Sequence, residues 1–151
     1  MPVLWHNLAV SNAQLLQDNL ELVVSRDPDL MLIFYGLLFE RYPEAKPLFG
    51  RNSQEEQAKM LTEAVGMLVA NVDDPEFVRT TMLSVGRKHV DYGVEDRMYA
   101  WVGECLVATL EQVSAEAWTP ALQTAWTETL TAISGIAIEG ASEVRQEREN
   151  A

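Results

Sequence analysis

The 151-residue chain contains one cysteine, Cys105. A single thiol cannot form a disulfide within the chain, and cysteine-ligated zinc sites and iron–sulfur clusters need several thiolates. The cysteine content therefore excludes these centres within one chain. The first residues also lack the basic start and long apolar core of a secretion signal. Both observations predict a cytoplasmic protein.

Basic residues are scarce as well. The chain has 11 Lys and Arg against 23 Asp and Glu, which gives a net charge of -12. Nucleic acids and anionic membrane surfaces bind clustered Lys and Arg side chains, and no such cluster occurs. The longest apolar run, residues 30–39, is about half of the ~20 residues needed to span a bilayer. We predict no nucleic-acid partner and no membrane association.

Signals for β-structure are absent, because no segment alternates apolar and polar residues between turn dipeptides. Helix-start signals recur instead, and they predict an all-α protein with a single domain over residues 12–142. Residues 1–11 are predicted as an N-terminal arm, and the polar residues 143–151 as a tail that frays. The expected starts are Ser11, Asp27-Pro28, Ser53, Asp74-Pro75, Glu95 and Thr119-Pro120, with a short helical turn after Tyr42-Pro43. The helix that starts at Glu95 is expected to end near Val113, and the one at Pro120 near Ala141.

His89 closes an apolar helix face that includes Val78, Met82 and Val85 at steps of three and four residues. A neutral imidazole is one of the few side chains that bind iron axially. An apolar stripe by itself is more typical of a core histidine. The motifs around His89 decide between these two interpretations.

Four motifs occur in a fixed order. Residues 34–49 read FYGLLFERYPEAKPLF, residues 57–61 read QAKML, residues 86–94 read GRKHVDYGV and residues 99–104 read YAWVGE. Together they resemble bacterial single-domain globins of the flavohaemoglobin/Vitreoscilla-haemoglobin type, over about residues 12–140. The resemblance implies a globin fold, in which helices pack around a haem pocket.

The resemblance also implies a role for individual residues. His89 is expected to be the axial ligand of the iron of haem b, and Tyr35 and Gln57 are expected to donate hydrogen bonds to bound O2. Further cofactor-binding residues are expected at Phe49, Leu61, Val94, Tyr99 and Lys88. Lys88, Arg87 and Arg51 are candidates to pair with the haem propionates, although exposed cations are more often simply solvated.

The proximal side departs from the family in one respect. Relatives of the flavohaemoglobin type carry a Glu late in the last helix, and the aligned residue here is Ala141, with Glu139 and Glu143 on either side. This departure argues against peroxidase-like activation. For the remote ring nitrogen of His89, a backbone carbonyl near Val85 is the expected acceptor.

The predicted function is reversible binding of O2, and also of CO and NO, with high O2 affinity, as in oxygen transport. Two other functions stay open. The first is a nitric oxide dioxygenase, which needs an external reductase because the sequence has no Gly-x-Gly-x-x-Gly fingerprint. The second is a haem-based gas sensor or a haem-free interaction module.

Overall fold

The computed structural model describes the backbone of residues 2–50 and 52–151, and the side chains of residues 12–50 and 52–151. These residues form six α-helices and two 3₁₀ helices, and no strand occurs among them. The α-helices are α1 (Pro2–Arg26), α2 (Leu30–Arg41), α3 (Gln54–Ala70), α4 (Pro75–Asp91), α5 (Asp96–Ser114) and α6 (Pro120–Glu149). The 3₁₀ helices are Pro43–Phe49 and Ala115–Ala117. The predicted all-α architecture is confirmed.

Side-chain caps define the beginnings of α3, α4 and α6. In each case an oxygen of Ser, Asp or Thr accepts the backbone N–H three residues later at 3.2 Å: Ser53 from Glu56, Asp74 from Phe77 and Thr119 from Leu122. Pro75 and Pro120 follow their caps, where a missing N–H removes no helical hydrogen bond. A cap of this kind stabilises a helix by about 1 kcal/mol. These three predicted starts are confirmed.

The start of α2 differs from the prediction, because the helix begins at Leu30 and not at Pro28. The Asp27 carboxylate accepts the N–H of Asp29 at 3.0 Å, and the Asp27 carbonyl accepts the N–H of Leu30 at 3.1 Å. These two bonds close a turn before the helix. Aspartate often competes for backbone groups in this way.

The two ends of the chain also differ from the prediction. Helix α1 spans Pro2–Arg26, whereas we predicted an arm over residues 1–11 and a helix capped by Ser11. The side chains of residues 1–11, and with them the predicted cap, lie outside the described residues. The prediction that residues 143–151 fray is wrong up to Glu149, because α6 continues to that residue.

Ion pairs explain why the polar end of α6 stays helical. Its side chains pair with α4 and with the start of α5, and Val144 in the same stretch is buried. The pairs are Arg79–Glu139 at 2.7 Å, Arg87–Glu143 at 3.2 Å, Arg87–Glu147 at 2.9 Å, Arg145–Asp96 at 2.8 Å and Arg148–Asp91 at 2.6 Å. Exposed pairs contribute little singly, but these five act on one helix.

The apolar core has two parts. The larger part joins α1, α2, α3, α5 and α6 around Phe34, Leu110 and Trp126. The smaller part, around Val78, Met82 and Ala137, lies between α4 and α6. Helix α3 packs on α1 and α2, whereas α4 packs mainly on α6. The two helices that carry Gln57 and His89 therefore belong to different parts of the core.

Two glycines allow α4 and α6 to cross with their backbones in contact. A Cβ atom on Gly86 would collide with the carbonyl oxygen of Ala137 and would lie 2.8 Å from its Cα. A Cβ atom on Gly140 would collide with the carbonyl oxygen of Leu83. The crossing lies one helical turn before His89, so it determines how the α4 backbone presents that residue.

No helix among the described residues combines the length and the apolar character that crossing a bilayer requires.

A buried polar network links α1, α5 and α6. The Trp126 indole N–H donates to Asn19 Oδ1 at 2.9 Å, and Asn19 Nδ2 donates to the Ser114 hydroxyl at 2.8 Å. All three residues are buried, so a lost partner cannot be replaced by water without rearrangement.

We expect Asn19→Leu to lower the free energy of unfolding by roughly 2–4 kcal/mol, because it leaves two buried polar groups unpaired. Urea unfolding checks this as a lower midpoint at an unchanged slope. Gln14→Leu on the same helix is the control, because Gln14 is exposed and bonds only to the exposed Asp18. If both variants unfold at the same midpoint, the network does not stabilise the protein.

Candidate functional site

His89 lies in the last turn of α4 with its ring orientation fixed from within the helix. Its Nδ1 is 2.6 Å from the backbone carbonyl oxygen of Val85, which confirms the predicted acceptor. A carbonyl oxygen only accepts, so Nδ1 carries the proton and Nε2 keeps a free lone pair. Burial lowers the pKa of His89, and the bond to Val85 opposes this effect only in part. The imidazole is therefore neutral at pH 7, as metal ligation requires.

Two tyrosine rings flank the imidazole. The Tyr92 ring lies edge-on at a centroid distance of 5.4 Å, and the Tyr99 ring is tilted at 6.5 Å. Tyr92 belongs to the motif at residues 86–94, but the sequence does not predict its contact with His89. Its spacing of three residues from His89 on a helix was the signal that could have indicated it.

The chain reverses just after His89 in a glycine-dependent helix end. The N–H of Gly93 donates to the carbonyl of Val90, and the N–H of Val94 donates to the carbonyl of His89, both at 3.1 Å. Gly93 has a φ of 86°, which residues with a Cβ rarely adopt. Arg145 of α6 donates to the Val94 carbonyl at 3.3 Å. Val94 thus ties the His89 turn to α6 through its backbone.

The Tyr99 hydroxyl is buried, and no described residue hydrogen-bonds to it. Burial raises its pKa, and the negative charge of Asp96 adds to the effect. Glu139 and Glu143, the two carboxylates considered for this side, pair with Arg79 and Arg87 on the surface. Neither carboxylate contacts Tyr99 among the described interactions.

Tyr35, in the middle of α2, lies in an aromatic cluster with Phe39 and Phe49. Its ring is 5.2 Å from that of Phe49, in an edge-to-face arrangement, and 5.8 Å from that of Phe39. The side chain is only 5% exposed, and burial raises the pKa of Tyr35 to about 12. No described residue hydrogen-bonds to its hydroxyl, which therefore remains a protonated and available donor.

Gln57 is buried at 7% exposure, which is unusual for a polar side chain in the first turns of a helix. Its Nε2 donates to the Phe49 carbonyl at 2.9 Å, a partner that the sequence did not indicate. Because the acceptor is a carbonyl, the amide orientation is determined, and one N–H of the amide remains available. Leu61, one turn further on, packs against the larger part of the core. Tyr35, Phe49 and Gln57 line a common cavity of about 170 Å³.

The residues expected on the ligand side, Tyr35 and Gln57, lie apart from the expected iron ligand, His89. No described side-chain contact joins Tyr35 or Gln57 to His89. On α3, Met60 and Met67 are 52% and 49% exposed, which leaves apolar surface uncovered on the helix that carries Gln57.

The three basic residues expected near the haem propionates have different surroundings. Lys88 is exposed, and Arg51 lies outside the described residues. Arg87 is paired with Glu143 and Glu147 of α6, and its role toward a haem propionate stays a prediction. The sequence around Arg87 could not indicate this pairing, because the two carboxylates belong to α6.

Comparisons with known proteins agree with one another. The sequence model described as Globin matches residues 32–136. Among curated proteins, the flavohemoprotein of Rhizobium meliloti is 34% identical over 97 residues, which cover 63% of this chain and 24% of that protein. The flavohemoprotein of Vibrio cholerae is 24% identical over 146 residues, which cover 95% of this chain and 37% of that protein. The chain thus spans 24% and 37% of the lengths of these two relatives.

Solved structures show the same likeness. A bacterial globin from Campylobacter jejuni superposes with a TM-score of 0.77 at 28% identity, covering 90% of this chain and 98% of that one. An engineered carbene transferase superposes with a TM-score of 0.79 at 24% identity, covering 91% and 96% of the two chains. The parent of that enzyme, from Rhodothermus marinus, is provisionally described as a nitric oxide dioxygenase.

Proposed function

The chain belongs to the globin family, and from this premise we propose that it binds one haem b through Nε2 of His89 and reversibly binds O2, CO and NO. Its all-α architecture is the globin fold, and the resemblance to bacterial globins is confirmed. The observation that carries the proposal is the His89 imidazole, which is neutral, oriented by Val85 and left with a free lone pair on Nε2. We propose residues 12–142 as the haem-binding unit and the cytoplasm as its location.

The described residues suit haem chemically. The Nδ1 bond to Val85 leaves a nitrogen donor of the kind that haem iron takes. Met60 and Met67 offer apolar surface for a flat apolar macrocycle, and Phe49 supplies an aromatic ring beside Tyr35. When bound, haem supplies a ferrous iron that takes up diatomic gases reversibly. Leu61, Val94, Tyr99 and Lys88 stay proposed pocket residues.

On the ligand side, the chain offers two donors. The Tyr35 hydroxyl has no described partner, and the Gln57 amide has one N–H beyond its bond to Phe49. Both side chains are buried, where a hydrogen bond to a partly negative ligand is stronger than in water. One such charge-assisted bond is worth about 1.5–3 kcal/mol, so we propose slow O2 release and high O2 affinity.

Tyr35→Phe tests this proposal. It removes the hydroxyl and keeps the ring, so we expect the O2 dissociation rate to rise at least about tenfold, the equivalent of ~1.4 kcal/mol. CO binds with less charge transfer and should respond much less. Gln57→Leu should act in the same direction, and the double variant should be less than additive if both donors reach one ligand atom. Stopped-flow displacement of O2 by CO measures these rates.

Tyr42→Phe is the matched control. The Tyr42 hydroxyl bonds to Glu104 on the surface at 2.6 Å, and its ring stacks on Trp101, so this variant should release O2 at the wild-type rate. Unchanged O2 release in both Tyr35→Phe and Gln57→Leu would contradict the assigned donors.

A second candidate function is nitric oxide dioxygenation. The flavohemoproteins among the relatives, together with the description of the Rhodothermus marinus protein, favour it. Nitric oxide dioxygenation needs a supply of electrons, and we propose a flavin reductase as their source. Catalytic NO consumption under O2, with nitrate formed in the presence of a flavin reductase, would support this activity. Consumption of only one NO per chain would contradict the dioxygenase activity and support O2 binding as the function. We retain a gas sensor only as a third candidate.

A further inference from the structure

A groove runs along the surface between α5 and α6. Its volume is about 560 Å³, and only two of the described residues that line it, Asp96 and Glu104, are charged. Both carboxylates pair with arginines of the same chain, at 2.8 and 2.7 Å. Small side chains form much of the lining, namely Ala100, Gly103, Thr127, Thr131, Ser134 and Gly135. Such side chains allow further helices to approach these two closely.

The two helices run in opposite directions along the groove. Arg145, near the end of α6, pairs with Asp96 at the start of α5. At the other end of the groove, Val107 of α5 and Gln123 of α6 both belong to the lining. The lined face of α6 continues beyond the groove to Arg145, seven residues after Ile138, and the lined face of α5 continues to Glu111, four residues after Val107. One end of the groove therefore carries an arginine and the other end a glutamate.

A second pair of charges follows the same division. Arg97 lies beside the first end, next to Asp96 in the sequence, and Glu128 lies beside the second end, next to Thr127. Both arginines bond to carboxylates of their own chain, but their side chains are 54% and 39% exposed and a guanidinium has five N–H donors. Glu111 and Glu128 are exposed, and neither forms an ion pair with a described residue. The glutamate end is thus the end with unpaired charge.

We propose that this groove is the surface on which a second copy of the chain docks, so that α5 and α6 of both copies pack together. A two-fold axis perpendicular to the groove reverses its direction, so the arginine end of one copy lies on the glutamate end of the other. Arg145 then faces Glu111 of the second copy, and Arg97 faces Glu128 of the second copy. Each contact occurs twice by symmetry.

The net charge of the chain makes this match informative. Copies that each carry a charge of -12 repel one another, so a face for self-association needs charges that are opposite after a two-fold rotation. The groove meets this condition. Of the residues proposed for the haem pocket, only Tyr99 lines it, and the Tyr99 hydroxyl is buried. The inference does not rest on the proposed haem function.

Sedimentation velocity of the full chain over a concentration series tests the surface. We expect a reversible dimer, whose fraction rises with concentration. Thr131→Arg places a charge in the middle of the groove, opposite the same residue of the second copy, and should raise the dimer dissociation constant at least about tenfold. Thr80→Arg is the matched control, because Thr80 is exposed on α4 and does not line the groove. A chain that is monomeric at every concentration, or equal effects of the two variants, would overturn the proposal.

Glu111→Lys separates the specific contact from the effect of net charge. Its control is Glu21→Lys, on the exposed surface of α1, and both variants make the net charge less negative by two. Lower net charge alone would strengthen association in both. We expect Glu111→Lys instead to weaken the dimer, because the new lysine faces Arg145 of the second copy. Stronger association in both variants would contradict the proposed contact. Sedimentation is readable without haem, so failure of the haem proposal would be seen separately in the absorption spectrum.

Discussion

His89→Ala is expected to leave the protein unable to hold one haem per chain. His89 is the only histidine among the residues whose side chains the structure describes, and the bond between Nδ1 and Val85 leaves its Nε2 free. Loss of an outer-shell partner of a metal ligand already weakens metal binding about 10–100-fold, so loss of the ligand itself should have a larger effect. The ratio of haem absorbance to protein after gel filtration measures this. Added imidazole should restore a five- or six-coordinate spectrum by filling the space of the deleted ring.

His6→Ala is the control for that experiment, because His6 is the other of the two histidines in the chain. It should retain full haem occupancy. A wild-type ferrous spectrum in His89→Ala would show that another residue ligates the iron, and the proximal assignment would then be wrong.

Gly86→Ala is expected to disrupt the placement of α4. The added Cβ would collide with the carbonyl oxygen of Ala137, and neither backbone can yield as a flexible side chain would. Ordinary overpacking in a core costs about 1–3 kcal/mol, and a clash between two backbones should reach or exceed the upper end of that range. We expect the free energy of unfolding to fall by at least ~3 kcal/mol and haem occupancy to fall with it, because His89 lies three residues further on. Urea unfolding and haem titration of the same preparation measure both effects.

Gly135→Ala separates this clash from the general effect of replacing a helical glycine. Gly135 lies on α6, and a Cβ there would meet no atom within 4 Å apart from its chain neighbours and the adjacent backbone of its own helix. In a helix interior, alanine is better than glycine by up to about 1 kcal/mol, so Gly135→Ala should be neutral or stabilising. Equal stability of the two variants would mean that α4 and α6 cross less closely than described.

The sequence predicted well those features that depend on neighbours within one turn of helix. The caps at Ser53, Asp74 and Thr119 depend on residues three positions away, and the bond between His89 and Val85 on a residue four positions away. Such short-range geometry follows from helix periodicity alone. The predicted start of α2 at Pro28 was wrong by two residues, because α2 begins at Leu30. The Asp27 side chain can cap either a turn or a helix, and the sequence does not distinguish the two.

Features that depend on distant partners could not be predicted in this way. Ion pairs with α4 stabilise the end of α6, and Arg87 of α4 pairs with Glu143 and Glu147 of α6. These partners are more than 50 residues apart in the sequence. The hydrogen bond from Gln57 to the Phe49 carbonyl forms because the 3₁₀ helix Pro43–Phe49 ends next to the start of α3. The glycine in the interior of α4, Gly86, was a signal that could have been used, because such a residue costs helix stability and often marks a close approach.

The packing of α4 has a consequence for the order of events during synthesis. Helix α4 packs mainly on α6, and its Arg79 and Arg87 form ion pairs with α6 residues that lie 56 to 60 positions later in the sequence. While α4 leaves the ribosome, its partner α6 has not yet been translated, whereas α2 can pack on α3 much earlier. His89 should therefore reach its final position late, and a nascent chain stopped before α6 should expose α4 to added protease.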